Sequence, residues 1–147
     1  MIAIRFSTPD DSARAIEIWR AAVDATHNFL RPVDRNAIDQ EVCTLLQNNR
    51  LWLAVDNSNR AIAFMLLKAG HMEALFVDPE HKLRGAGRAL VEHALKIHGP
   101  LTADVNDQNE AAIGFYEHLG FRRTGRSEMD DQGRQYPLVH LCSPAES

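Results

Sequence analysis

Residues 71–95, HMEALFVDPEHKLRGAGRALVEHAL, restrict the folds open to this chain more than any other stretch. HMEALFV reads as a strand ended by DPE. Gly85 and Gly87 then sit one residue apart among Lys82, Arg84 and Arg88. Leu90, Val91, Ala94 and Leu95 follow on one side of a helix, which Gly99 and Pro100 stop. The unit is a strand, a turn, a close glycine pair and a helix N-terminus. At such a start the backbone N–H groups have no internal partner, and the helix dipole is positive. Glycine lets a ligand approach the backbone closely. The arrangement suits a pyrophosphate. It is not a Walker loop, because the Gly-Lys-Ser/Thr sequence is absent, nor a Rossmann fingerprint, because position 90 is leucine. The plain alternative is a solvated turn with incidental basic residues.

Periodicity supplies the other elements. IAIRF (residues 2–6) alternates as a first strand. TPDD opens a helix, with Thr8 as cap, Pro9 at the first helical position and Asp11 three residues after the cap. Ile16, Trp19 and Val23 form its apolar stripe. DATHNFLRP interrupts the pattern, and a second helix carries Ile38, Val42, Leu45 and Leu46 at helical spacing. LWLAV (residues 51–55) and AIAFMLLK (residues 61–68) read as a hairpin joined by DNSNR. LTADV (residues 101–105) is a short strand. A helix follows, starting near Asp107 with Glu110 in the capping-box position and ending at Gly120. FRRTGRSEM and YPLVHLC are the last strands, around the turn DDQG. The order β-α-α-β-β-β-α-β-α-β-β predicts a mixed α/β (α+β) fold over residues 1–147, with SPAES as a frayed tail.

Composition narrows the function classes. At 147 residues the chain fits one domain with a core that needs no staples. No apolar run approaches the ~18 residues of a bilayer span, so no membrane partner is expected. The N-terminus lacks the basic start and long apolar core of a signal peptide. Cys43 and Cys142 give no disulfide framework and are expected as free thiols in a reducing cytoplasm. A net charge of -4 argues against a general nucleic-acid surface. The seven histidines lack paired ligand spacing, so no metal is expected. Oligomeric state is not legible.

A second segment, NEAAIGFYEHLGF at residues 109–121, gives the glycine pair a context. Together the two segments resemble the GNAT superfamily of acyl-CoA-dependent N-acyltransferases. Val77 and Pro79, then Lys82, Leu83, Arg84, Gly85, Ala86 and Gly87, match its acyl-CoA signature. Asn109, Ala112, Phe115, Tyr116, Gly120 and Phe121 match its second motif. The element order is also the family's, so the resemblance covers nearly the whole chain. Lys82 and Leu83 stand where Arg/Gln and Gly are commoner. Lysine keeps the charge without the planar fork, and leucine lacks glycine's access to positive φ.

The resemblance implies acetyl-CoA as cosubstrate and a cleft between two splayed parallel strands, here ALFV and LTADV. Leu75, Phe76 and Val77 would bond the pantetheine arm through their backbone. Lys82, Leu83, Arg84, Gly85, Ala86, Gly87 and Arg88 would hold the phosphates. Asn109 would bond the pantetheine or cap its helix. Tyr116 would face the thioester and protonate the departing thiolate; without the family it reads as an amphipathic core tyrosine. Ala112, Phe115 and Leu119 are spaced for one buried face, which turns Tyr116 toward its edge. His71 and Glu73 are candidates for removing the amine proton. Period two would put both on one face with Leu75 and Val77, unless the strand bulges as it often does in the family. Attack is direct in this family, so neither cysteine is needed. Asp24, His27 and Tyr136 are candidates to meet the amine, in regions that line the acceptor side in the family; the plain alternatives are a loop and a hairpin turn.

The leading reading is an N-acetyltransferase acting on a primary amine: a protein lysine, a polyamine, an amino acid or an antibiotic. The alternatives are a non-catalytic acyl-CoA sensor and a partner-binding protein with its cleft unused.

Overall fold

The computed structural model describes residues 2–26, 29–82, 84–130 and 132–144. The elements run β1 (Ala3–Phe6), α1 (Ser12–Thr26), α2 (Pro32–Gln47), β2 (Trp52–Val55), β3 (Ala61–Lys68), β4 (His71–Val77), α3 (Ala86–His98), β5 (Thr102–Asn106), α4 (Glu110–His118), β6 (Arg122–Ser127) and β7 (Leu138–Cys142). Short 3-10 turns at Pro9–Asp11 and Pro79–His81 lead into α1 and toward α3. At the first, the Asp11 carboxylate accepts the Thr8 N–H at 2.8 Å, the reciprocal cap that TPDD predicts.

The strands form one sheet in the order β1-β2-β3-β4-β5-β7-β6. Neighbours are antiparallel except β4 and β5. The last strand therefore lies between β5 and β6. One apolar cluster packs α3 and α4 on the sheet, with Leu90, Val91, Ala94, Met72, Ile113 and Tyr116 buried in it. The other holds Ala15, Ile18, Trp19, Val23 and Leu46 of α1 and α2 against Leu53, Phe64 and Leu66.

Two features of this frame position the site. The parallel ladder between β4 and β5 joins only His71 to Thr102 and Met72 to Ala103, and then the strands part. Against β3, β4 slips register: Leu66 pairs with Ala74 but Leu67 pairs with Met72, leaving Glu73 as the extra residue of a bulge. The bulge overturns the period-two expectation. Met72, Leu75 and Val77 pack toward α3 and α4, while Ala74 and Phe76 pack toward α1 and α2. His71 does not share a face with Leu75 and Val77.

Three smaller expectations are corrected. In α1 the deepest residues are Ala15, Ile18 and Trp19, with Ile16 at the margin. Helix α4 begins at Glu110, not near Asp107, because Asn109 is the cap: its side-chain oxygen accepts the Ala112 N–H at 3.2 Å. Within α4, Ile113 and Tyr116 are the buried residues, whereas Ala112, Phe115 and Leu119 are only partly covered. Tyr116 is thus the centre of that face and not its edge.

Candidate active site

Where β4 and β5 part, a cleft opens through the sheet. Glu73, Leu75, Phe76, Asp104, Asn106, Asn109, Ala112 and Tyr116 are among its walls. Residues of both segments, 71–95 and 109–121, thus converge on one space. The Tyr116 ring is 6% exposed and packs 5.2 Å from Phe115 and 5.1 Å from Phe121, centroid to centroid. Burial pushes its phenol above the ordinary tyrosine range, so at neutral pH it is a proton and hydrogen-bond donor.

At one end of β4 the chain turns into α3. The αL conformation of Gly85, with φ 83° and ψ 11°, makes it the N-cap of α3. An added Cβ there would meet nothing within 4 Å, so the glycine serves backbone conformation and open approach, not packing. Gly87 is different: its Cβ would come to 3.3 Å from both Phe115 and Val77. One glycine lets the loop turn, and the other seats α3 against β4 and α4. Lys82, Arg84 and Arg88 are exposed around them. Arg88 lies 3.7 Å from Glu92, a weak surface pair, and among the described residues Lys82 and Arg84 have no ion pair. The segment before the loop is anchored from α1. Arg14 donates to the buried Asp78 at 2.6 Å and to the Ala61 carbonyl at 2.9 Å. Burial alone would raise the Asp78 carboxyl, but bonds from Arg14 and the Glu80 N–H hold it below the usual range.

On the α1–α2 side the same cleft widens into a cavity of about 290 Å³. Its apolar walls include Trp19, Val23, Ile38, Val42, Phe64 and Phe76; its polar wall includes His71, Glu73, Asp104, Glu41, Asp130 and Arg134. This explains why Ile38, Val42 and Leu45, which read as a core stripe, are only partly buried: they front the cavity. Arg134 draws the β6–β7 connection to α2 through Glu41 at 2.7 Å and lies 3.6 Å from Asp130.

The candidate acceptor residues separate. Tyr136 lines the cavity, but its hydroxyl donates to Asp34 at 2.5 Å and accepts the Arg31 N–H at 3.1 Å, which also ties the β6–β7 connection to α2. Asp24 pairs with Arg35 at 3.1 Å and faces a different, charged depression along α1. His27 and Leu83 lie outside the described residues. The sequence reading missed Asp104 and His140. The polar face of β5, with Thr102 and Asp104 alternating, was the available signal.

The family whose profile is described as "Acetyltransferase (GNAT) domain" matches residues 47–123. Over 144 residues the chain is 46% identical to "Peptidyl-lysine N-acetyltransferase YjaB" of Salmonella typhimurium, covering 98% of this chain and 99% of that one. The chain belongs to the GNAT acetyltransferase family. The Escherichia coli protein that shares its name with the Salmonella relative is 46% identical to this chain over 142 residues, with 97% of each covered. The apo solution structure of Escherichia coli YjaB superposes with a TM-score of 0.94 at 44% identity, covering 99% of both chains. The mixed α/β fold expected from the element order, and the GNAT fold that the resemblance implies, are the fold found. This GNAT chain is accordingly an enzyme, an N-acetyltransferase that moves an acetyl group from acetyl-CoA to an amine, and not an acyl-CoA sensor. No described helix is long and apolar enough to cross a membrane.

Proposed function

We propose that this GNAT enzyme acetylates lysine side chains of peptides or proteins, and that it does so in the cytoplasm. The acceptor cavity carries the reading. Its walls are apolar along α1, α2 and β3, and Glu73 and Asp104 stand where the cavity meets the β4–β5 cleft. A four-carbon stem ending in an ammonium matches that sequence of surfaces. The name of the YjaB relatives points to the same acceptor. The unpaired Cys43 and Cys142 accord with a reducing compartment.

The donor side follows from the cleft. Acetyl-CoA supplies an activated acyl group on a thiol that leaves. Leu75, Phe76 and Val77 offer the backbone edge for its arm, and Asn109 caps α4 beside it. Lys82, Arg84, Gly85, Ala86, Gly87 and Arg88 form the phosphate cradle, a reading supported by the αL turn and open approach at Gly85. Tyr116 donates to the departing sulfur. An ordinary phenol, with pKa about 10, is already a weaker acid than a thiol at about 8.5, and burial weakens it further. Tyr116 therefore acts first by hydrogen bonding the developing thiolate, with the proton following as the site relaxes. His71 and Glu73 are the residues on hand to take the ammonium proton.

The test is release of CoA thiol from acetyl-CoA against a lysine peptide, its Nα-blocked form, spermidine and free amino acids. Equal release with the blocked and unblocked peptides, and little with the others, is the expected result. Release that needs the free α-amine would overturn the lysine assignment.

A further inference from the structure

Asp104 on β5 stands between two imidazoles. Its Oδ1 is 2.6 Å from His140 Nδ1 on β7, and its Oδ2 is 3.4 Å from His71 Nε2 on β4. The far nitrogen of each ring meets a hydroxyl. Ser127 Oγ is 2.6 Å from His140 Nε2, and Thr102 Oγ1 is 2.6 Å from His71 Nδ1. Strand register brings the set together: His71 is opposite Thr102, and Asp104 is opposite His140.

The two contacts to Asp104 differ in kind. An ionised carboxylate only accepts, so at 2.6 Å His140 donates from Nδ1, and its other nitrogen receives the Ser127 hydroxyl proton. The 3.4 Å separation on the other side is too long for a good N–H···O bond. It leaves His71 Nε2 and Asp104 Oδ2 side by side on the cavity wall, where one group in the cavity can reach both. We infer that His71 and Asp104 are the catalytic pair that deprotonates the acceptor amine. Asp104 Oδ2 holds the ammonium, His71 Nε2 takes its proton, and the resulting imidazolium pairs with the same carboxylate. His140 and Ser127 are positioning residues that fix the Asp104 rotamer. The inference rests on the amine-acetylation reading above and chooses between its two candidate bases.

Among the described residues, the other charged or titratable groups on the cavity wall are Glu73 from β4, Glu41 from α2, and Asp130, Arg134 and Tyr136 from the β6–β7 connection. Arg134 offsets Glu41 and Asp130, and Tyr136 is bonded to Asp34. Glu73 is the competitor, exposed at the bulge with no ion pair among the described residues. The proton count closes. One ammonium N–H bond breaks, its proton goes to His71 and then to water, and the freed lone pair forms the C–N bond. The second proton that nitrogen loses as the amide forms balances the one gained by the departing sulfur.

The test has two arms. In the first, n-butylammonium, a lysine stem without a backbone, is titrated against the protein while the histidine ring resonances are followed by NMR. Saturable shifts at His71 are expected, at least tenfold weaker in Asp104→Asn, about threefold weaker in His140→Gln and less weakened in Glu73→Gln than in Asp104→Asn. Should Asp104→Asn not fold, shifts in the wild type that bypass His71 would overturn the pair. In the second arm, CoA release is measured against pH. His71→Gln is expected to lower kcat/KM at least 100-fold at pH 7 and to remove the acid limb. His140→Gln displaces that limb, which a merely structural role would not do. An acid limb kept by His71→Gln and lost by Glu73→Gln would overturn the inference. Butylammonium binding through Asp104 without acetylation of any lysine peptide would refute the acceptor assignment and leave the pair standing.

Discussion

Gly85 allows backbone strain and ligand access to be separated. Its φ of 83° lies in the left-handed region, and nothing stands within 4 Å of an added Cβ. A Gly85→Ala variant therefore meets no clash, only the conformational penalty of an alanine there, about 1–2 kcal/mol. For a domain near 150 residues, 1 kcal/mol is worth roughly 2–4 °C, so the expected fall in Tm is about 2–8 °C. Asparagine tolerates the same region far better, so Gly85→Asn should recover most of that loss. Both side chains project into the proposed phosphate cradle, and both should weaken acetyl-CoA binding at least tenfold, about 1.4 kcal/mol. Gly114, which also has open space around it but lies inside α4, is the control. Gly114→Ala should raise stability by about 0.5–1 kcal/mol. Thermal melts and calorimetric titration with acetyl-CoA read all three. An alanine variant that melts with wild type would refute the strain argument. An asparagine variant that binds acetyl-CoA normally would refute the cradle.

Tyr116→Phe removes a hydroxyl that no described group bonds, so the melt should stay within a few degrees of wild type. Turnover should fall about 10²–10⁴-fold, the range of general acid catalysis, while calorimetry shows acetyl-CoA affinity within twofold; turnover within twofold would remove Tyr116 from the chemistry. Asp39 of α2 bonds Arg20 of α1 and Arg35 one turn earlier in α2, each at 2.9 Å, and those bonds, Arg20 first, hold its carboxyl well below the usual range. A depressed native pKa means stability that is present above the unfolded value of about 3.9 and lost as pH falls below it. Asp39→Asn should thus unfold at lower urea than wild type at pH 7, and the gap should narrow steadily below pH ~4. A gap that stays constant with pH would assign the loss to packing.

The element order was legible because each run carries its own period, and the β4–α3 loop because the segment at residues 109–121 gives its glycine pair a context. What escaped depends on partners far along the chain. The bulge at Glu73 is a count of residues against β3, and HMEALFV alone contains no sign of it. The Asp104–His140 contact spans 36 positions and follows from β7 entering the sheet beside β5. Ile38, Val42 and Leu45 have the spacing of core residues, and only the shape of the opposing wall makes them a cavity face. Asp107 and Asn109 are both able caps in sequence, but the Asp107 N–H bonds the Pro137 carbonyl at 2.9 Å and so extends the β5–β7 pairing, leaving Asn109 to cap α4.

The narrow seam between β4 and β5 has a thermodynamic meaning. A four-strand half and a three-strand half share only two rungs of ladder. A ligand that lies along β4 as an added strand supplies the backbone bonding that these rungs do not. Its binding is then a continuation of folding, and the free energy of holding the halves together is shared with the ligand. At a hundredfold excess over its dissociation constant, that linkage contributes about 2.7 kcal/mol. The supply of CoA and its thioesters would set the resistance of this enzyme to unfolding and proteolysis as well as its rate.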